Sequence, residues 1–72
     1  MASAVEMDVC SRAQSVLAQS PIYVLREVQV EQYGDALLLR GRVDTFYHKQ
    51  MAQELVRNVA EGMRVENALS VD

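Results

Sequence analysis

The chain has 72 residues, of which 50% are hydrophobic and 24% are charged, and its formal net charge is −3. A chain of this length forms one small domain with a thin core, because it buries only about 60% of the surface that it exposes when unfolded. The excess of acidic side chains argues against nucleic acid as the main partner, since that binding depends on neutralising phosphates. Cys10 is the single cysteine, which excludes an intramolecular disulfide and a cysteine zinc site.

The N-terminus and the hydropathy of the chain bear on its localisation. The first eight residues contain two acidic and no basic side chains, so no signal peptide is predicted. No apolar run approaches the roughly 20 residues of a membrane span. We therefore expect a cytoplasmic protein if this is the whole chain, and a periplasmic or envelope protein if it is an excised domain.

The first predicted element is a helix over about residues 3–19. Ser3 and Glu6 have the spacing of a capping box, in which two side chains satisfy free amides at a helix start. Apolar residues then recur at helical spacing, namely Val5, Val9, Ala13, Val16 and Leu17. Pro21 ends the helix, because the residue before a proline avoids the helical conformation.

Two strands joined by a tight turn are predicted next, over about residues 26–32 and 36–43. Val28 and Val30 alternate with polar residues, as in a half-buried strand. Gly34 supplies the turn, since glycine readily adopts a positive φ. In the second strand the alternation places one set of residues inward, namely Leu37, Leu39, Gly41 and Val43. This strand is the most apolar of the chain and is predicted to be central.

A second helix over about residues 45–61 and a last strand over about 63–71 complete the prediction. Asp44 or Thr45 can cap the helix, and Gly62 is expected to form its left-handed C-cap. The apolar positions of the helix are again at helical spacing, namely Ala52, Leu55, Val56 and Val59. The last strand turns one set of side chains inward, namely Val65, Asn67, Leu69 and Val71.

The order α-β-β-α-β predicts an α+β fold with a three-stranded mixed sheet and two helices packed on one face. Because β-α-β crossovers are right-handed, the last strand is expected to lie parallel to the second. The other face of the sheet then stays open. Residues 1–72 are expected to form a single domain.

This arrangement resembles the BON domain, the bacterial osmotic-shock and nodulation domain family. Four stretches carry the resemblance, namely Val28-x-Val30, Leu37-x-Leu39-x-Gly41-x-Val43, Asp44-Thr45 and Val65-x-Asn67-x-Leu69-x-Val71. The resemblance implies a non-catalytic binding module that contacts phospholipid membranes or other cell-envelope components. No enzymatic activity and no cofactor are expected from it.

The best candidate for a binding surface is the outward side of the central strand, formed by Leu38, Arg40 and Arg42. Its two guanidinium groups are suited to hold phosphate or lipid headgroups. The alternative, which we favour, is that these arginines form cross-strand ion pairs that need no ligand. In a hairpin turning at Gly34, Glu27 would lie roughly opposite Arg40, with Glu66 on the same face.

A second hypothesis for function is a protein-interaction or homodimerisation module that uses the open sheet face around Leu38 or an edge strand. The sequence leaves the oligomeric state open. Four aromatic residues are candidate anchors at a membrane interface, but they are dispersed along the chain. They are Tyr23, Tyr33, Phe46 and Tyr47.

Structural roles are predicted for Gly41, Gly62 and Asn67. Gly41 is expected to let a helix backbone approach the central strand closely. Asn67 faces inward, so its amide needs hydrogen-bond partners, which we expect near Gly62. His48 is interpreted as a solvated residue of the second helix, since no nucleophile or orienting partner is placed beside it.

Overall fold

A computed structural model describes residues 8–72, in which two helices are followed by three strands, a third helix and two strands. The helices are α1 (Val9–Ala18), α2 (Tyr23–Arg26) and α3 (Phe46–Arg57). The strands are β1 (Gln29–Tyr33), β2 (Ala36–Arg40), β3 (Arg42–Val43), β4 (Arg64–Asn67) and β5 (Ser70–Val71).

The three longer strands form one sheet in the order β1-β2-β4. β1 runs antiparallel to β2, and β4 runs parallel to it. β3 and β5 prolong β2 and β4 as a short parallel pair. The predicted α+β class and the three-stranded mixed sheet with β2 at its centre are therefore confirmed.

The core lies between one face of the sheet and the helices α1 and α3. Leu37 and Leu39 of β2 are fully buried, as are Leu17 of α1 and Val56 of α3, and all belong to one apolar cluster. The alternation of β2 therefore places the predicted side chains inward. Packing on this face fixes which residues are left for the opposite, open face.

Helix α1 begins at Val9, which is later than predicted. Asp8 has an extended backbone, and its carboxylate accepts a hydrogen bond of 2.8 Å from the Ser11 amide, so Asp8 is the N-cap. The same hydrogen bond holds the pKa of Asp8 below its ordinary value. The capping box proposed for Ser3 and Glu6 lies outside the described residues.

Helix α2 was not predicted, because four residues are too few to show a helical period. It occupies part of the stretch assigned to the first strand, so β1 begins at Gln29 rather than near residue 26. The Arg26 side chain donates to the Ser20 carbonyl over 2.6 Å, which ties this helix to the end of α1.

The predicted strand over residues 36–43 is interrupted at Gly41, where φ is +131°. A Cβ there would lie 3.7 Å from the Glu27 carbonyl and 3.8 Å from the Val28 Cα. The close backbone is thus Glu27, the C-cap of α2, together with Val28 after it, and not the backbone of either helix predicted from the sequence. Glycine is needed because its positive φ lets the chain step from β2 to β3.

Helix α3 also ends earlier than predicted, at Arg57. Thr45 is its N-cap and accepts a hydrogen bond of 3.0 Å from the His48 amide. Beyond the helix, the Ala60 amide bonds to the Arg57 carbonyl over 3.2 Å, a three-residue turn that closes the α-helix. The C-cap role predicted for Gly62 is therefore wrong: it lies in the turn before β4, with φ +88°.

Asn67 joins β4 to α3. Its side-chain amide donates to the Lys49 carbonyl over 2.8 Å and to the Gln53 side chain over 3.2 Å. Its side-chain oxygen accepts from the Leu69 amide over 3.2 Å. The inward direction of Asn67 was predicted correctly, but its partners lie in α3 and after β4 rather than near Gly62.

The outer edge of β1 is covered by α1. The Gln14 side chain donates to the Val28 carbonyl over 2.7 Å and accepts from the Val30 amide over 2.9 Å. The Cys10 thiol donates to the Val30 carbonyl over 3.5 Å. Side chains of α1 thus hydrogen-bond to backbone groups at the outer edge of β1, which would otherwise be free to pair with another strand.

We expect Asn67→Ala to lower the free energy of unfolding by about 1–2 kcal/mol, because hydrogen bonds between β4 and α3 are lost in a partly buried place. Urea denaturation measures this change. Asn58→Ala is the control, since Asn58 is exposed at the end of α3. Equal effects of the two substitutions would contradict the role given to Asn67.

We expect Gly41→Ala to destabilise the domain by roughly 1–3 kcal/mol, because a side chain disfavours the backbone conformation at φ +131°. The space for a Cβ is ordinary at this position, so strain rather than overlap is the cause. Gly34→Asn is the matched control, since asparagine tolerates the left-handed φ of +58° found there. Thermal melts that show no loss for Gly41→Ala would refute this explanation.

Candidate binding surface

The open face of the sheet is built from alternate residues of the three strands. The register sets Glu31, Leu38 and Glu66 side by side in one row across this face. Leu38 is half-buried there, between two carboxylates. The apolar centre of the candidate surface is therefore small and has acidic neighbours.

Arg40 is paired on this face. Its Nη1 lies 3.1 Å from the Glu31 Oε2, and the Tyr33 hydroxyl donates to the other carboxylate oxygen of Glu31 over 2.7 Å. The ion pair follows the favoured alternative, but its acidic partner is not Glu27. The register places Gln29 opposite Arg40, which leaves Glu31 as the carboxylate within reach.

Arg42 lies beyond the break at Gly41 and belongs to β3. Its Nη1 is 3.5 Å from the Asp72 Oδ2, and its side chain is 77% exposed. Arg64, on the far side of Leu38, lies 3.4 Å from Glu66 and 3.6 Å from Asp35. The arginines on and beside the open face thus each have an acidic neighbour.

The hydrogen bond from Tyr33 holds the pKa of Glu31 below its ordinary value, and Arg40 adds to the effect. The same interaction raises the pKa of the Tyr33 phenol. Glu31 is therefore ionised at neutral pH and offsets the charge of Arg40 on this face. An anionic headgroup that approached Arg40 would have to compete with this carboxylate.

A second candidate surface is formed by exposed aromatic residues at the starts of two helices that contact each other. Tyr23 is 78% exposed, Phe46 75% and Tyr47 69%. Helix α2, which begins at Tyr23, contacts both β3 and α3, and α3 begins at Phe46 and Tyr47. We call these three residues the aromatic end. Tyr33 is 60% exposed but lies at the opposite end, beside the β1–β2 turn.

Polar side chains contact two of the rings at the aromatic end. The Arg26 guanidinium lies 4.5 Å from the centroid of the Tyr23 ring. The His48 ring is 5.7 Å from the Tyr47 ring, and its Nδ1 is 2.5 Å from the Asp44 Oδ1. This hydrogen bond lowers the pKa of Asp44. Asp44 is not the helix cap; it is the partner of His48 at the start of α3.

Sequence reasoning considered these aromatic residues but could not group them. Tyr23 and Phe46 are far apart along the chain, and the packing of α2 against α3 makes their helices neighbours. The available signal was the Phe46-Tyr47 pair at a helix start, where an apolar pair on the first turn is not explained by the helical stripe.

A groove of about 410 Å³ lies between α3 and β4. Its apolar walls include Ala60, Met63 and Val65, and its polar walls include Gln53 and Arg57. Gly62, at one end of the groove, begins the turn into β4. Cys10 lies elsewhere, against β1, and burial raises the pKa of its thiol.

Two further properties concern the described part of the chain only. Among residues 8–72, no helix is long and apolar enough to cross a membrane. The same stretch contains no cluster of three or more His, Cys, Asp or Glu side chains placed to hold a metal ion.

These features define a small α+β domain with a three-stranded mixed sheet. The family model of the BON domain matches residues 9–72, and the chain belongs to the BON domain family. This confirms the resemblance seen in the sequence. BON domains are binding-type domains. A search of curated proteins found no match.

We expect Tyr33→Phe to raise the pKa of Glu31, because the hydroxyl hydrogen bond is the largest cause of its depression. A group with a lowered pKa stabilises the fold above its unfolded pKa, and this contribution is lost as the pH falls through the folded pKa. In the variant, the stabilisation of the fold by the Glu31 carboxylate should therefore be lost at a higher pH than in the parent chain. NMR titration of the carboxyl carbon measures the shift.

Arg40→Gln is the comparison for this titration. It should also raise the pKa of Glu31, since Arg40 lowers that pKa through its charge and through a hydrogen bond. A Glu31 pKa that is unchanged in both variants would show that the open face is not neutralised in this way.

Proposed function

We propose that this domain is a non-catalytic module that attaches to a phospholipid surface through its aromatic end. The observation that carries the proposal is the exposure of Tyr23, Phe46 and Tyr47 at the starts of two helices that contact each other. Large aromatic side chains are costly to leave in water, and tyrosine in particular settles at the boundary between headgroups and acyl chains. Membership of the BON family supports phospholipid as the partner.

Charge near the aromatic end is balanced. Arg26, Arg42 and Lys49 are basic, whereas Glu27, Asp44 and Asp72 are acidic. Attraction to anionic lipid by net charge is therefore weak, and ring insertion supplies most of the binding free energy. Binding should consequently depend little on salt.

The open face is the weaker candidate for the same role. Arg40 is held by Glu31, and Leu38 is flanked by Glu31 and Glu66. A headgroup would have to displace an existing ion pair to bind there. The alternative binding site is therefore the surface formed by Leu38, Arg40 and Arg42, and an experiment must distinguish it from the aromatic end.

We expect the double substitution Phe46→Ser with Tyr47→Ser to weaken binding to vesicles of mixed zwitterionic and anionic lipid. Each ring that leaves the interface should cost roughly 1 kcal/mol or more, so the double variant should lose on the order of tenfold or more in partitioning. Vesicle co-sedimentation measures the bound fraction, and circular dichroism checks that the variant is folded.

Two controls locate the site. Tyr33→Ser removes an exposed ring from the opposite end and should leave binding unchanged. The pair Arg40→Glu with Arg42→Glu reverses the charge of the competing surface. If the Arg40→Glu, Arg42→Glu variant loses vesicle binding while the Phe46→Ser, Tyr47→Ser variant keeps it, the binding site lies on the open face. If the parent chain does not bind vesicles, the proposal is refuted.

A further inference from the structure

The outer edge of β4 is open among the described residues. The Arg64 amide donates to the Asp35 carbonyl and the Ala68 amide to the Leu39 carbonyl, each over 3.0 Å, so both amides point toward β2. Because backbone groups alternate in direction along a strand, those of Val65 and Asn67 point away from β2. The sheet order places β4 at the edge, where these groups face outward.

The two edge strands of the sheet, β1 and β4, differ in whether side chains hydrogen-bond to their outward backbone groups. On β1, Gln14 and Cys10 occupy the backbone groups of Val28 and Val30. On β4, the Asn67 side chain turns inward to α3 and therefore does not shield the edge. An edge left open in this way is a template for pairing with another strand.

We propose that two copies of this chain pair through their β4 edges, antiparallel and related by a two-fold axis. The product is one continuous sheet with three strands from each copy. The proposal is separate from the lipid function, because β4 contributes no residue to the aromatic end.

The charges of β4 choose the register. When Val65 lies opposite the partner's Val65, Arg64 lies opposite the partner's Glu66, and Glu66 lies opposite the partner's Arg64. Opposite charges directly across an antiparallel pair stabilise it, whereas like charges destabilise it. The two-fold symmetry doubles this complementarity, since each ion pair occurs twice.

The hydrogen bonds select the same register. In a two-fold antiparallel pair, the central residue must present its backbone groups outward, as Val65 and Asn67 do. Centring the pair on Asn67 would place Arg64 opposite the partner's Ser70, without charge complementarity. Centring it on Val65 satisfies both the backbone groups and the charges.

The groove beside β4 provides apolar surface for the same contact. Met63 and Val65 are only partly buried and line it with Ala60. A second copy that continued the sheet would set the partner's Val65 beside Val65, on the side of the sheet that faces the groove. Burial of this apolar surface adds to the backbone hydrogen bonds of the edge.

The test uses charge variants of β4 and sedimentation equilibrium. Arg64→Glu alone and Glu66→Arg alone each place like charges opposite one another at both symmetric positions. Each should raise the dimer dissociation constant by about tenfold or more. An equimolar mixture of the two variants should restore association as a heterodimer, because every facing pair is then of opposite charge.

A proline variant tests the hydrogen bonds. Val65→Pro removes an amide that points outward and leaves the amides that bond to β2. It should be a folded monomer. Gln32→Pro is the matched control, since the Gln32 amide points to the outer edge of β1 by the same alternation from Val30. It should dimerise as the parent chain does.

A parent chain that stays monomeric at about 1 mM, the concentration at which even weak self-association shows, would overturn the proposal. It would also be overturned if the parent chain dimerised but the mixture of Arg64→Glu with Glu66→Arg did not restore what each variant lost. If Val65→Pro fails to fold, the mixing experiment decides alone. Slower amide exchange at Val65 and Asn67 in the concentrated parent chain would support the β4 contact.

Discussion

Burial of Leu37 and Leu39 under α1 and α3 fixes the orientation of the central strand and, through it, the arrangement of the sheet. β2 is the only strand paired on both sides within the three-stranded sheet, so its register determines that of β1 and β4. Since side chains alternate along a strand, burying these two leucines sends Leu38 and Arg40 to the other face. No helix within residues 8–72 packs on that face as a second layer.

Polar contacts at the margins of the core fix the position of the helices α1 and α3 relative to the sheet. Asn67 fastens β4 to the α3 backbone, and Gln14 fastens α1 along β1. Both use a side-chain amide, which donates and accepts at once and can therefore satisfy two backbone groups. These contacts connect elements that are distant in sequence, so they order the helices relative to the sheet.

The exposed surfaces follow from the same arrangement. The open face neutralises its own charges through Arg40 with Glu31 and Arg64 with Glu66, which makes it a poor site for an anion. The aromatic end exposes rings that are costly to keep in water, and the β4 edge exposes backbone groups that are able to pair with another strand. Binding in this domain is therefore expected where internal pairing is incomplete.

Much of the fold could be read from the sequence. The strands around Val30, Leu37, Leu39 and Val65 were found because alternation is a local property, and α3 was found because its apolar residues recur at helical spacing. Helix α2 could not be found, since four residues show no period. The break at Gly41 was missed because a glycine at an inward position does not disturb an alternating pattern.

The candidate sites divide in the same way. The family, the central strand and the inward position of Asn67 could be predicted from the sequence, because they depend on periodicity and on short motifs. The folded structure was needed to show three contacts: Glu31 pairs with Arg40, the helix of Tyr23 packs against the helix that begins at Phe46, and α1 covers the outer edge of β1. Register and packing set these contacts between residues distant along the chain, and local patterns carry no information about such distances.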